Sequence, residues 1–292
     1  MTIDPGTIPP HALRRVIETA LEEDAPWGDV TSETLIPADA TATATLAARE
    51  PGVLSGGTVF VAVMHAVDPS IRATLHADEG AAFTAGDTLA TVTGSARSVL
   101  RAERVALNLV QRMSGIATAT AAHVAAAAGT SARIVDTRKT TPGLRALERY
   151  AVRCGGGHNH RTSLSDAVLA KDNHLAVLLA GGIGIGDAIT AARQRLGHTV
   201  HVEVEVDRID QIEPVVAAGV DTIMLDNFTP AELETGVGIV AGRALVEASG
   251  GVSLDTVAAI AATGVDVISV GALTHSARAL DLGLDIAVTA GD

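Results

Sequence analysis

From residue 133 onward the chain repeats one unit. A short run rich in β-branched residues ends in a polar residue or a glycine, and a helical stretch follows. The runs are RIVDT (133–137), AVLAKD (167–172), VHVEVEV (200–206), DTIMLD (221–226), ALVEAS (244–249) and DVISVG (266–271). The last four start about 22 residues apart, the spacing of a strand plus a returning helix. Runs this apolar belong to parallel strands covered on both faces. Each run also ends in residues able to do chemistry: Asp136 to Lys139, Lys171 with Asp172, Glu203 and Glu205, Asp226 with Asn227, Glu247 to Ser249, and Gly271. In a (β/α) barrel the carboxyl ends of the strands form the active face. The pattern predicts an α/β chain built on such a barrel. An open doubly wound sheet is the alternative, but it usually carries an early G-x-G-x-x-G turn. The nearest string, GGIGIGD (181–187), lacks the third glycine and reads as a mobile loop.

The chain has 292 residues, which at about 150 residues per domain suggests two domains. Residues 9–23 read as a helix with Leu13, Val16, Ile17, Ala20 and Leu21 on one stripe. Residues 41–95 read as short strands and turns, including TATATLAA, GVLSGGTVFVAV and ADEGAAFTAGDTLATVTG. The last is the kind of β segment found in lipoyl- or biotin-carrier domains. A carrier needs a lysine on a hairpin tip, and no lysine precedes residue 139. Residues 98–127 read as one long helix or two, with Gly115 a candidate break.

Composition narrows the function. The net charge of −13 repels phosphates, which argues against a general nucleic-acid or acidic-membrane binder. Only 2% of residues are aromatic, too few for base stacking as a main activity. A single cysteine, Cys154, rules out an internal disulfide and points to a reduced, cytoplasmic setting. The N-terminal sequence lacks a signal layout, and no run of 18 apolar residues occurs.

Against that acidic background the positive charge is concentrated. Residues 133–172 hold eight Lys or Arg against four acids, and both lysines of the chain, Lys139 and Lys171, lie there. Arg145, Arg149 and Arg153, spaced by four, read as a solvated helix stripe. Arg138 and Lys139 directly follow a predicted strand, and Arg161 follows a glycine loop, so these aim at an anion. In GGGHNHR (155–161) the glycines allow a tight fold while His160 and Arg161 face the anion, and His158 reads as structural. Cys154, His158 and His160 offer a metal reading, but their spacing matches no standard zinc pattern. Glu203 and Glu205 share one face of their strand, and Asp226 ends the next. Carboxylates beside a cation cluster suit sugar hydroxyls plus Mg²⁺; a buried ion-pair network is the structural alternative. ASGG (248–251) and VGAL (270–273) are glycine turns after the last two runs, where such barrels commonly bind phosphate. No Walker-type loop is present, which disfavours a nucleotide triphosphatase. The residues alone point to a barrel enzyme for a phosphorylated sugar and a second anion.

Eight segments resemble the quinolinate phosphoribosyltransferase family, also called nicotinate-nucleotide pyrophosphorylase (carboxylating or decarboxylating). They are EEDAPWGDVTSETLIP (22–37), ERVALNLVQRMSGIAT (103–118), DTRKTTPGLRALERYAVRCGGGHNHR (136–161), LAKDNH (169–174), VEVEV (202–206), LDNF (225–228), EASGG (247–251) and SVGALTHS (269–276). The third is very specific, and the likeness spans essentially the whole chain. One departure is RTSLSD (161–166), where the family has a bulkier or glycine-containing run; Arg161 and Asp166 are kept.

The resemblance implies an incomplete (β/α) TIM-like barrel with an N-terminal α/β sandwich domain. It divides the chain into residues 1–112 (sandwich, with 277–292 packing back on it) and 113–276 (barrel). It implies a pentosyltransferase of de novo NAD biosynthesis, which converts quinolinate and phosphoribosyl diphosphate to nicotinate mononucleotide, diphosphate and CO₂. It implies a homodimer or higher even oligomer in which Arg104 reaches the neighbouring site. Thr137, Arg138, His160, Arg161 and Lys171 would meet the substrate carboxylates, and Lys139 and Lys171 the phosphates. Glu205 and Asp226 would hold the ribose and, through diphosphate, Mg²⁺, with Glu203 as the fallback for that role. Ser249, Gly250, Gly251, Val270, Gly271 and Ala272 would take the 5′-phosphate. Lys139, Lys171, Glu205 and Asp226 would be the catalytic set.

Three other activities fit parts of this pattern. A transferase acting on nicotinate needs no clamp for a second carboxylate. A Schiff-base lyase would use Lys171 in a desolvated setting. A ligand sensor would bind without turnover.

Overall fold

The computed structural model describes residues 6–289, without the side chains of Asp172, Leu179, Val288 and Thr289. The outermost residues of the expected domains, 1–5 and 290–292, and the side chain of Asp172 lie outside that description. Two compact units emerge, and the chain passes between them more than once. The first comprises residues up to Ala121, then Thr140–Gly156, then Leu273 onward; the second comprises Ala122–Lys139 and Gly157–Ala272.

The first unit opens with α1 (Pro10–Asp24) and α2 (Val30–Leu35). Proline suits the first position of α1, where its missing N–H would have no helical partner. Asp29 caps α2 by accepting the N–H groups of Thr31 and Ser32 at 3.1 and 3.0 Å. There follow β1 (Thr41–Ala48), β2 (Gly52–Val53), α3 (Gly57–Val67), β3 (Arg72–Leu75), β4 (Ala82–Phe83), β5 (Thr88–Ser95) and α4 (Ala96–Ala126). Later in the chain come α5 (Arg145–Cys154) and β12 (Leu282–Thr289). A four-stranded antiparallel sheet runs in the order β12-β1-β5-β3, and β2 pairs with β4. Along β1, buried Ala42, Ala44 and Leu46 alternate with residues that are exposed or half-buried, the period of a sheet with one covered face. Helix α1 packs on α3 and α5.

Three expectations change here. GGTVFVAV is a helix, α3, not a strand. Its buried residues Val59, Phe60, Val63 and Met64 fall at helical spacing. Residues 96–126 form one unbroken helix, so Gly115 is no break; an added Cβ there would lie 1.9 Å from the Arg278 carbonyl oxygen. Residues 140–156, expected in the barrel, join the first unit. The Arg112 guanidinium on α4 donates to the buried Glu148 carboxylate on α5 at 2.8 Å and to Thr141 Oγ1 at 2.7 Å. Leu147, Ala151 and Val152 of α5 are buried as well.

The second unit is a parallel sheet. Its strands are β6 (Arg133–Val135), β7 (Val168–Ala170), β8 (Val202–Val206), β9 (Thr222–Asp226), β10 (Leu245–Ser249) and β11 (Val267–Ser269), in the order β6-β11-β10-β9-β8-β7. All five pairings are parallel. Strand β6 sits beside β11 rather than β7. Among the described residues the two edges do not pair with each other, so the barrel is incomplete. Helices α6 (Asp172–Ala180), α7 (Ile185–Arg195), α8 (Ile212–Ala217), α9 (Pro230–Val240), α10 (Val257–Ala262) and α11 (Ala272–His275) follow the strands. Helix α8 packs on α7, α9 and β9, and α10 packs on α9 and β11. The GGIGIGD string, read as a loop, turns after α6 and then starts α7 at Ile185. No helix among the described residues is long and apolar enough to cross a membrane.

Candidate active site

Period-two alternation sends one side chain in two into the barrel. On β8 the outward residues are Val202, Val204 and Val206, and the inward ones are Glu203 and Glu205. Register then stacks the inward residues. Leu169 lies level with Glu203, Glu205 with Met224, Met224 with Glu247, and Asp226 with Ser249. A cavity of about 400 Å³ opens over these strand ends, room enough for a small-molecule ligand. It is lined by Thr137, Arg138, Lys139, His160, Arg161, Leu169, Lys171, Glu205, Met224, Asp226, Glu247, Ser249 and Ser269.

The cavity therefore brings together Thr137, Arg138, Lys139, His160, Arg161, Lys171, Glu205, Asp226 and Ser249 from the sequence reading. Others lie elsewhere. Glu203, expected beside the ribose, is buried beneath His160, because it sits two residues deeper along β8 than Glu205. Arg104 is exposed on α4 in the first unit. Gly250, Gly251, Val270, Gly271 and Ala272 follow the ends of β10 and β11 without lining the cavity. Sequence reasoning missed Leu169, Met224 and Ser269 as lining residues, and it noted Glu247 as a strand-end acid without assigning it to the site. The signal was there, since each lies two residues before a polar or glycine residue already singled out: Lys171, Asp226, Ser249 and Gly271.

The loops that carry the cations are tied down from below. Asp136, fully buried, accepts the His160 backbone N–H at 2.8 Å and the Asn159 side-chain amide at 2.6 Å. The backbone of His158 bridges to β6, donating to the Ile134 carbonyl at 2.8 Å. Asp166 accepts the Thr162 N–H at 2.5 Å and the Ser163 hydroxyl at 3.0 Å, which closes the RTSLSD turn. The Arg161 guanidinium donates to the Ala167 carbonyl at 3.0 Å. Lys171 Nζ donates to Glu205 Oε2. Asn227, at φ 61°, donates its side-chain amide to Asp226 at 2.7 Å and its N–H to the Ser249 carbonyl at 2.8 Å. A Cβ on Gly250, at φ 91°, would fall 2.2 Å from Asn227 Oδ1, so this crossing between β9 and β10 requires glycine.

Cations and carboxylates share the cavity. Burial, and then the nearby Arg138 guanidinium, pulls the Arg161 guanidinium below its usual range, although it stays charged at neutral pH. His160 Nε2 lies 3.2 Å from Glu203 Oε2 and 3.4 Å from Glu247 Oε2. Burial disfavours charge on this ring, but the hydrogen bonds and charges of the two carboxylates outweigh it and raise the ring to about 10. The Arg161 N–H donates to Nδ1 at 2.8 Å, so a proton there would face another proton. That contact opposes a second proton on the ring and favours the Nε2–H form. Burial first, and then the Glu247 charge, outweighs the bond from His160 and raises Glu203 above the ordinary carboxylate range. Among the described residues, the one group with metal-ligand proximity is His160, Glu203 and Glu247, and it includes neither Cys154 nor His158.

The fold and this cavity define a class: a (β/α)-barrel enzyme with a cation-rich site at the carboxyl ends of its strands. Comparison with known proteins gives the family. The model of the quinolinate phosphoribosyl transferase C-terminal domain matches residues 116–285, and that of its N-terminal domain matches residues 29–114. The nicotinate-nucleotide pyrophosphorylase [carboxylating] of Mycobacterium leprae is 45% identical over 94% of this chain and 97% of its own length. The NadC crystal structure from Streptococcus pyogenes has a TM-score of 0.92 at 40% identity, covering 98% of this chain and 100% of that one. Human nicotinic acid phosphoribosyltransferase, at 16% identity and a TM-score of 0.60 over 94% of this chain and 74% of its own, shares the fold alone. The chain belongs to the quinolinate phosphoribosyl transferase family, a family of pentosyltransferases.

Proposed function

We propose that the cavity joins quinolinate to phosphoribosyl diphosphate, giving nicotinate mononucleotide, diphosphate and CO₂ in NAD biosynthesis. The observation that carries this reading is the set of four cations, Arg138, Lys139, Arg161 and Lys171, that lines one cavity together with Glu205 and Asp226. Forked guanidinium donors match carboxylates bidentately, and quinolinate has two. Displacing diphosphate develops positive charge at the anomeric carbon. Glu205 and Asp226, which line the cavity, would stabilise it, and Lys139 and Lys171 would neutralise the leaving group. Once the glycosidic bond forms, the ring nitrogen is cationic and stabilises the electron pair left on the adjacent ring carbon as CO₂ departs. Lys139 or Lys171 steadies the carbanion before it takes a proton. Ser249, which lines the cavity at the end of β10, would donate its hydroxyl to the 5′-phosphate.

Glu205 and Asp226 also suit Mg²⁺, which is usually held by one or two carboxylates together with substrate phosphates. The ion would supply positive charge to the diphosphate. A homodimer fits the first unit, where Trp27 is 96%, Val30 79% and Leu35 72% exposed, apolar side chains that a second copy would cover. Arg104 would then reach the partner's site. A reducing cytoplasm suits the one thiol, which is buried.

The test is a pair of reactions with phosphoribosyl diphosphate and Mg²⁺, one with quinolinate and one with nicotinate. Nicotinate mononucleotide and CO₂ should form from quinolinate alone. Product from nicotinate alone would show that the carboxylate clamp is misassigned. Silence in both would leave the chain a ligand sensor on this fold.

A further inference from the structure

A site for a dianion has no evident use for two buried carboxylates beneath it, yet Glu203 and Glu247 lie there, with side chains 5% and 3% exposed. Burying charge is costly unless it is paired, and each keeps one oxygen, Oε1, with no hydrogen-bond partner. A broken rule of this kind at a functional site calls for a compensating role.

The contacts of His160 supply one. Its ring is gripped at both nitrogens. The Nε2 proton is shared between Glu203 Oε2 on β8 and Glu247 Oε2 on β10. Nδ1 accepts the backbone N–H of Arg161 at 2.8 Å. The backbone of His160 is held separately, by Asp136. The carboxylates thus reach Arg161 through one rigid imidazole. A resident metal is the obvious competitor, since the three ligand atoms lie within 4.8 Å of one another. Metal-binding histidines, however, donate a proton from the other ring nitrogen. Here the other nitrogen accepts one, so Nε2 has no lone pair to give.

We propose that Glu203 and Glu247 are positioning residues that lock His160 as its Nε2–H tautomer and thereby fix the angle at which Arg161 presents its guanidinium to a substrate carboxylate. This rests on Arg161 binding that carboxylate. Neither glutamate needs to touch substrate. Shape is their contribution, and the charge they bring is offset by the Arg138, Arg161, Lys139 and Lys171 cluster above.

Two measurements test it. The first is ¹⁵N NMR of the imidazoles in the ligand-free chain, with the His160 signal assigned by H160N. One protonated nitrogen, Nε2, and one bare nitrogen, Nδ1, should persist between about pH 6 and 8. An imidazolium, or the opposite tautomer, overturns the proposal. So does a stoichiometric metal ion in the purified protein that H160N loses. This measurement does not depend on what the enzyme turns over, so it separates failure of the inference from failure of the proposed reaction.

The second is kinetic. E247L keeps the bulk but removes the acceptor. It should raise KM for quinolinate about tenfold or more, with kcat and KM for phosphoribosyl diphosphate changed less than about threefold. E247Q retains an acceptor oxygen and should restore KM for quinolinate to within about threefold of the parent. Equal losses toward both substrates, a loss in kcat alone, or no rescue by E247Q would assign the pair a general packing role instead. If E247L fails to fold, the NMR result on the parent chain decides.

Discussion

Glu203 and Glu205 are two residues apart on the same face of one strand, yet one is sealed and the other faces the cavity. A strand rises about 3.3 Å per residue, so two residues move a carboxylate roughly 6–7 Å along the barrel axis. Over that distance Glu205 meets Lys171 at the mouth, while Glu203 meets His160 below it. Alternation in the sequence shows which face a residue takes. Depth depends on register with neighbouring strands, and a single chain does not display that. The same distinction explains why Arg138, Lys139, Arg161 and Asp226 were legible as candidates that the cavity brings together and Ser269 was not. The first four carry charge at strand ends or in a glycine loop, whereas Ser269 becomes a lining residue only through the pairing of β11 with β6 and β10. Burial sets another residue's behaviour. It pushes the Cys154 thiol up to about 12, and the Glu79 charge adds to that. Native protein should therefore react with a thiol reagent at pH 8 at less than about a hundredth of the rate of urea-unfolded protein, which should take up one equivalent. Equal rates would mean that Cys154 is accessible.

At the scale of elements, the parallel strands were readable because covered strands are apolar on both faces, and all six appear within a few residues of the expected runs. Helix α3 was not. Its β-branched GTVFVAV favours a strand locally, and packing on α1 and β3 overrode that preference. Helix α4 shows the opposite error, in which a glycine suggests a break where tertiary contact needs a missing side chain. In an ordinary helix, glycine to alanine gains about 0.5–1 kcal/mol. Gly115→Ala should instead destabilise by about 2–3 kcal/mol, since a methyl group would collide with the Arg278 carbonyl. Urea midpoints at constant slope would measure it, and a gain in stability would show that the contact is loose.

For the whole molecule, the two-part plan was readable and the route of the chain was not. Residues 140–156 carry an arginine stripe that reads as solvated. What draws them to the first unit is the buried Glu148, whose partner Arg112 lies 36 residues away. No local pattern announces such a pairing. The proposed dimer also makes a prediction at this scale. R104A and K139A should each be nearly inactive alone. Refolded together in equal amounts, they should recover about a quarter of parental activity, because half the dimers are mixed and each mixed dimer has one intact site. No recovery would place Arg104 in its own subunit's site or outside any site.

The pairing of β12 with β1 has a consequence for synthesis. Strands β1, β3 and β5 leave the ribosome early, but one flank of β1 is filled by residues 282–289. At cellular elongation rates, the interval between Ser95, at the end of β5, and Leu282 lasts on the order of 10–40 s. Throughout it the nascent first unit carries an open strand edge while the barrel is being made. A chaperone able to shield that edge would then matter more for this chain's yield than for its final stability.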